Sequence, residues 1–269
     1  MKPEIIRADP AGNITIFVMN PPDGKRERAE IAEALIADPD LKAEQVGFVI
    51  SPKNPGDLWQ LEMAGGEFCG NASRSLGLLA ALKSGLSGRH TITIKTSGIT
   101  KPVPVFIDTG AQTAEIVIPG PLTQTEITLN EKCYPVYGFE GITHIIGENT
   151  EGNERLALSL FRNFDESRRK EGCIPCDALG VMFYDTKKNF MRPVVWVRGT
   201  APVFESSCGS GSAALGVWAV RNSDNTDTRF DFDQPGGTIT VRVIKKIGLI
   251  KRLSISGKVT LSEIKKTPK

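Results

Sequence analysis

The chain is short of several things, and each shortage removes a class of function. Only two histidines and five cysteines occur among 269 residues, far below the density of a disulfide scaffold or a zinc-ribbon array. Charge of one sign is missing too. Lysine plus arginine (33) nearly balances aspartate plus glutamate (31), a net charge of +2, which is not the electrostatic footprint of a nucleic-acid binder. No apolar run approaches the ~18 residues that span a bilayer, so neither nucleic acid nor membrane is an expected partner. The opening MKPEIIRADPAGNITIFV places acidic residues and a proline ahead of its apolar run, unlike a secretory signal. The expected compartment is the cytoplasm, where cysteines stay reduced.

Motifs for familiar cofactors are likewise lacking. There is no G-x-x-x-x-G-K-[ST], no H-E-x-x-H and no G-x-S-x-G. Gly209-Ser-Gly-Ser-Ala-Ala214 imitates a dinucleotide fingerprint, but no apolar strand leads tightly into it and no βαβ pattern surrounds it. Cys173-Ile-Pro-Cys176 is a single C-x-x-C with no second pair, and His90 and His144 lie far from it in sequence. It reads as two reduced thiols in a loop. No cofactor and no metal site are expected.

What is present is an ordinary globular composition, 40% hydrophobic and 24% charged, with enough length for two domains at roughly 100–200 residues each. Short runs such as Ile14–Met19, Val46–Ile50, Val103–Ile107, Val181–Tyr184 and Ile239–Ile244 read as strands between Gly, Pro, Asn and Asp punctuation. Helical periodicity marks Arg26–Ala37 and Asn153–Lys170. Two further helices begin at Cys69 (CGNASRSLGLLAAL) and Cys208 (CGSGSAALGVWAV). Both fit C-G-x-x-S-x-x-L-G-[LV] and lie about half the chain apart, which reads as an internal duplication. The Pro119-Gly120-Pro121 turn, followed by the polar run LTQTEITLN, is the expected boundary. This gives residues 1–120, with a returning strand over 258–269, as one domain and 121–257 as the other.

A cysteine at a helix N-terminus meets unpaired backbone N–H groups and the positive end of the helix dipole, which favour its thiolate. Two of them, in equivalent places facing one cleft, suit the inversion of a carbon centre. One thiolate removes a proton from one face while the other thiol supplies a proton to the opposite face. The same helix ends offer the N–H groups of Gly70, Asn71, Gly209 and Ser210 to a substrate carboxylate.

GGEFCGNASRS and ESSCGSGSAA, with Pro10-Ala-Gly-Asn13, resemble the motifs of the diaminopimelate epimerase superfamily of cofactor-independent amino-acid racemases and epimerases. The resemblance implies an α+β fold of two pseudo-symmetric domains, each a curled, mainly antiparallel sheet around a central helix. It implies a homodimer as well. The chain departs from diaminopimelate epimerase itself in two places. Gly141-Ile-Thr-His144 stands where that enzyme has G-N-P-H, and Val197-Arg198-Gly199 keeps an arginine but not the glutamate before it. Fewer polar donors remain for a second carboxylate. Glu44-Gln-Val-Gly-Phe48, Glu67–Ala72, Glu205, Cys208–Gly211 and Gln234-Pro-Gly-Gly237 look closer to the histidine racemase branch, which serves opine-type metallophore synthesis. That resemblance makes Cys69 and Cys208 the acid/base pair. It makes Glu44 and Glu205 candidates for binding the substrate, and Asn13 and Asn71 candidates for holding its backbone part. The rival readings are diaminopimelate epimerase, a racemase of another amino acid, and a non-catalytic amino-acid-binding protein.

Overall fold

The computed structural model describes residues 4–171 and 176–264, so Cys173 lies outside the described residues. It has a mixed α/β fold, rich in strand with few helices, and the chain folds into two compact units. One unit runs to Val117 and takes the chain back from Ser256; the other is Ile118–Ile255.

In the first unit β1 (Ile5–Asp9) pairs antiparallel with β2 (Thr15–Met19). Helix α1 (Lys25–Ala37) then carries the chain to β3 (Gln45–Ile50), parallel to β2. β4 (Trp59–Met63) returns antiparallel, and α2 (Gly70–Lys83) crosses to β5 (Arg89–Thr96), parallel to β4. β6 (Val103–Asp108) and β7 (Thr113–Val117) complete an antiparallel meander. Each parallel pair is joined by a helix, as the geometry of parallel pairing demands.

The second unit opens with the antiparallel pair β8 (Thr123–Leu129) and β9 (Lys132–Gly138), and β10 (Thr143–Glu148) pairs on β9. Helix α3 (Glu154–Lys170) joins β10 to the parallel β11 (Ala178–Asp185), and β12 (Phe190–Val197) returns antiparallel. β13 (Val203–Phe204) leads into α4 (Gly209–Ala219), then β14 (Asp227–Gln234), β15 (Gly237–Lys246) and β16 (Leu249–Lys258). The last strand, β17 (Thr260–Ile264), belongs to the first unit, where it pairs antiparallel with β1; residues 265–269 lie outside the described residues.

The LTQTEITLN run, polar punctuation by composition, is largely strand β8. Only Ile127 of that strand is buried, so its threonines and glutamate show no alternation, and backbone pairing to β9 forms it instead. α3 is amphipathic. It is capped by Asn153, whose Oδ1 accepts from the Leu156 N–H at 2.9 Å, and Leu160, Phe161 and Phe164 enter a core with Ile145, Val181 and Val194.

α2 and α4 differ from the other helices in being buried on nearly every side, α2 with the polar Asn71, Ser73, Arg74 and Ser75 among its buried residues. The glycines of their shared motif explain how the strands come so close. A Cβ at Gly77 would lie 2.5 Å from Val105 of β6, and one at Gly216 would lie 2.5 Å from Val241 of β15. The serines of the motif are matched in the same way. Ser73 Oγ meets Thr96 Oγ1 at 3.1 Å, and Ser212 Oγ accepts from Gln234 Nε2 at 3.0 Å. Thr96 and Gln234 are the buried last residues of β5 and β14. Among the described residues no helix is long and apolar enough to cross a membrane.

Candidate active site

Each capping cysteine organises a polar cluster within its own unit. Cys69 is the N-cap of α2, and its Sγ accepts from the Ala72 N–H at 3.4 Å. Gly70 and Asn71 occupy the first turn, where backbone donors have no intrahelical acceptor. The amide of Gln45, at the start of β3, lies against the thiol, with Cys69 Sγ 3.0 Å from Oε1. Such an amide serves both protonation states: its carbonyl accepts from S–H, and after a flip its NH2 donates to S⁻.

Behind the thiol runs a chain of side chains. Asn13 Nδ2 donates to Glu44 Oε2 at 2.8 Å, Asn71 Nδ2 donates to Asn13 Oδ1 at 3.3 Å, and Arg74 Nε donates to Asn71 Oδ1 at 3.2 Å. The left-handed Ala11 (φ 65) and Gly12 (φ 82) turn Asn13 into this chain, and the Gly12 N–H is anchored on Asp9 Oδ1 at 2.8 Å. Arg74 is wholly buried; desolvation pulls its pKa down to about 10, opposed by the charge of Cys69, and it stays a cation at neutral pH.

The second cluster repeats the cap. Cys208 is the N-cap of α4, and its Sγ accepts from the Gly211 N–H at 3.4 Å. The Cys208 N–H donates to Gln234 Oε1 at 2.8 Å, so the Gln234-Pro-Gly-Gly turn fixes the cap from below. Gly211 is closely packed there, since a Cβ would lie 2.1 Å from Met182 Sδ and force that side chain to shift. Ser210 Oγ lies 3.7 Å from Cys208 Sγ and 2.9 Å from His144 Nε2. His144 is completely buried opposite Gly180, where a Cβ would lie 2.4 Å from Nδ1. Burial lowers its pKa to about 3, so the imidazole is neutral. The Cys208 thiol is pushed well up, first by burial and then by the Glu205 charge, against the Gly211 N–H and the Ser210 hydroxyl.

Two buried thiols, each capping a helix and each with a polar network behind it, are groups equipped to take up and release protons. Comparison with known proteins agrees. Residues 3–264 match the family described as the histidine racemase CntK N-terminal domain. The chain belongs to the histidine racemase family. It is 32% identical over 243 residues to a histidine racemase of Fusobacterium nucleatum subsp. nucleatum, covering 87% of this chain and 86% of the relative. It is 30% identical over 268 residues to a histidine racemase of Staphylococcus aureus, covering 96% and 94%. The fold is similar to a hydroxyproline epimerase from Agrobacterium vitis (TM-score 0.64, 12% identity, 99% and 95% covered) and to a predicted epimerase from Pseudomonas aeruginosa (TM-score 0.67, 12% identity, 98% and 100% covered). The protein is an isomerase, an amino-acid racemase.

For this histidine racemase family member, the residues singled out in the sequence fall into the two clusters. Asn13, Glu44, Gly70 and Asn71 stand with Cys69; Glu205, Gly209 and Ser210 stand with Cys208. Arg198 is engaged elsewhere: its Nη2 donates to Asp165 Oδ2 at 2.7 Å and to the Cys176 carbonyl at 2.9 Å. Four further participants are not marked out by the sequence motifs as functional. Gln45 and Gln234 lie inside those motifs, next to Glu44 and at the head of the Gln-Pro-Gly-Gly turn. His144 ends the Gly-Ile-Thr-His run. Arg74 carries the clearest available signal, a cation in the middle of an otherwise apolar and small-residue helix.

Proposed function

We propose that the chain racemises histidine without a cofactor, with Cys69 and Cys208 as its two acid/base residues. The observation that carries this reading is the matched cap: both thiols sit at a helix N-terminus and accept the N–H three residues on, at the same 3.4 Å. In one direction a thiolate takes the α-proton and becomes a thiol. The carbanion then takes a proton from the opposite thiol, which is left as thiolate. No electrons are exchanged with an outside partner, and the return direction swaps the roles. The first-turn N–H groups of Gly70, Asn71, Gly209 and Ser210 are suited to the substrate carboxylate and the charge that builds up on it.

Histidine is favoured by the histidine racemase relatives and by the commitment of Arg198 to Asp165, which leaves that arginine paired rather than available for a distal carboxylate. Glu44, held by Asn13, is the proposed partner of the ammonium or imidazole, and Glu205 orients Cys208. The two units are proposed as pseudo-symmetric domains, each a curled sheet around a central helix. The matched pairs Gly77 with Gly216 and Thr96 with Gln234 support a duplication. The proposed boundary lies near Pro119–Pro121. The proposed setting is a cytoplasmic homodimer that supplies D-histidine for metallophore synthesis.

Proton NMR of the reduced protein in heavy water tests the substrate and the mechanism together. Loss of the α-proton signal of L-histidine with appearance of the D-isomer, abolished in Cys69→Ser and Cys208→Ser, is the expected result. Turnover of diaminopimelate in place of histidine would overturn the substrate. A folded, reduced protein that exchanges no amino-acid α-proton would overturn the two-base reading and favour a binding protein.

A further inference from the structure

The two caps differ in one charge. The fifth residue after Cys69 is Arg74; the fifth after Cys208 is Ala213. Arg74 is the largest fully buried side chain among the described residues. Its Nε donates to Asn71, its Nη1 donates to the carbonyls of Gly257 (3.0 Å) and Lys258 (3.3 Å), and its buried Nη2 has no hydrogen-bond partner. Every one of those acceptors is neutral, and among the described residues no carboxylate lies within ion-pair distance of the guanidinium. A buried cation without an anion carries a large desolvation cost.

The surroundings narrow the choice of counter-charge. The buried residues of β4, β5, β6 and β7, the strands packed on α2, are all uncharged: Leu61 and Met63, Ile94 and Thr96, Val105 and Ile107, Ala114 and Ile116. The titratable and charged residues of those strands, Glu62, Arg89, His90, Lys95, Asp108 and Glu115, sit at partly or fully exposed positions. On β1, Arg7 and Asp9 pair with each other. Glu44 is separated from Arg74 by the two amides of Asn13 and Asn71. Cys69, the N-cap five residues back along the same helix, is the ionisable group whose charge bears on Arg74.

We propose that Arg74 is the built-in counter-ion of a Cys69 thiolate, so that the enzyme rests with Cys69 as the base and Cys208 as the acid. This deepens the two-thiol reading and rests on it. Arg74 touches neither substrate nor the reacting carbon; it is a positioning residue that acts through the thiol. The opposite bias at the second cap supports the assignment, because Glu205 places a carboxylate against Cys208 and favours its protonated form. Ala213, at the position of Arg74, supplies no compensating cation.

The test is an NMR titration of protein carrying 13Cβ-labelled cysteine, with Cys69 and Cys208 assigned by their serine variants. In the wild type, Cys69 is expected to ionise at lower pH than Cys208. Arg74→Met should raise the Cys69 midpoint by about one pH unit or more, while Arg74→Lys restores most of it and neither moves Cys208. A Cys208 that ionises first in the wild type, or a folded Arg74→Met protein with an unmoved Cys69 midpoint, overturns the proposal. If Arg74→Met does not fold, the wild-type order and the Arg74→Lys midpoint decide. The titration needs no turnover, so absence of racemisation with these midpoints intact would remove the two-base reading and leave the counter-ion standing.

Discussion

Asn13 and Asn71 are hydrogen-bonded side chain to side chain at 3.3 Å, across 58 positions of sequence. Each amide also faces a charged group: Asn13 donates to Glu44, and Asn71 accepts from Arg74. Every donor and acceptor in this chain has one consistent orientation, so the network fixes the amide flips as well as the positions.

Removing the middle of that chain should be felt at both ends. Asn13→Ala strips Glu44 and Asn71 of a partner in a buried setting, where such a loss costs about 1–3 kcal/mol. A fall in kcat/KM of about tenfold or more is expected, with a smaller loss of stability, measured by steady-state racemisation and urea unfolding.

The glycines under the two central helices should tolerate no side chain. Gly77→Ala and Gly216→Ala each push a methyl group into Val105 or Val241, and overpacking of this kind costs about 1–3 kcal/mol. Unfolding midpoints lower in both variants are the expected outcome; unchanged midpoints in either would show that its strand moves aside freely.

His144 gives the protein a pH-dependent stability with a defined sign. Its pKa in the folded state is about 3, lowered by burial from the ordinary 6.5, so the unfolded chain binds the proton more readily. Stability is then full above pH 6.5 and is lost progressively as pH falls toward 3. Between about pH 7.5 and about pH 5 the wild type should lose about 2 kcal/mol more than His144→Gln. Parallel urea titrations of the two proteins at those pH values check this.

Glu205→Gln should lower the pH at which Cys208 ionises, because it removes the charge that raises that thiol. The alkaline limb of the pH–rate profile is expected to move to lower pH, and the Cys69 titration should stay where it is. A profile identical to the wild type would take Glu205 out of the site's electrostatics.

Much of the local structure is legible in the chain. Cys69 and Cys208 as helix caps follow from small first-turn residues ahead of an apolar body, and both are observed as N-caps. The runs around Val46, Val103 and Val181 form strands because their pattern is period two or continuously apolar. Strand β8 is not legible, because a strand with one buried residue carries no periodicity to read. His144 stands in the sequence only as the end of a run; its burial depends on Gly180, which lies on a different strand and becomes its neighbour only through the β10–β11 register.

The sequence by itself determined the two cysteine caps and the repeat of C-G-x-x-S-x-x-L-G, since these depend on residues a few positions apart along one helix. Tertiary structure decided the rest. It joined Glu44, Asn13, Asn71 and Arg74 into one chain, drew His144 to Ser210, and tied Arg198 to Asp165. Those contacts bring together segments tens of residues apart, and a buried polar group takes its partner from whatever the packing sets beside it, which no local pattern encodes.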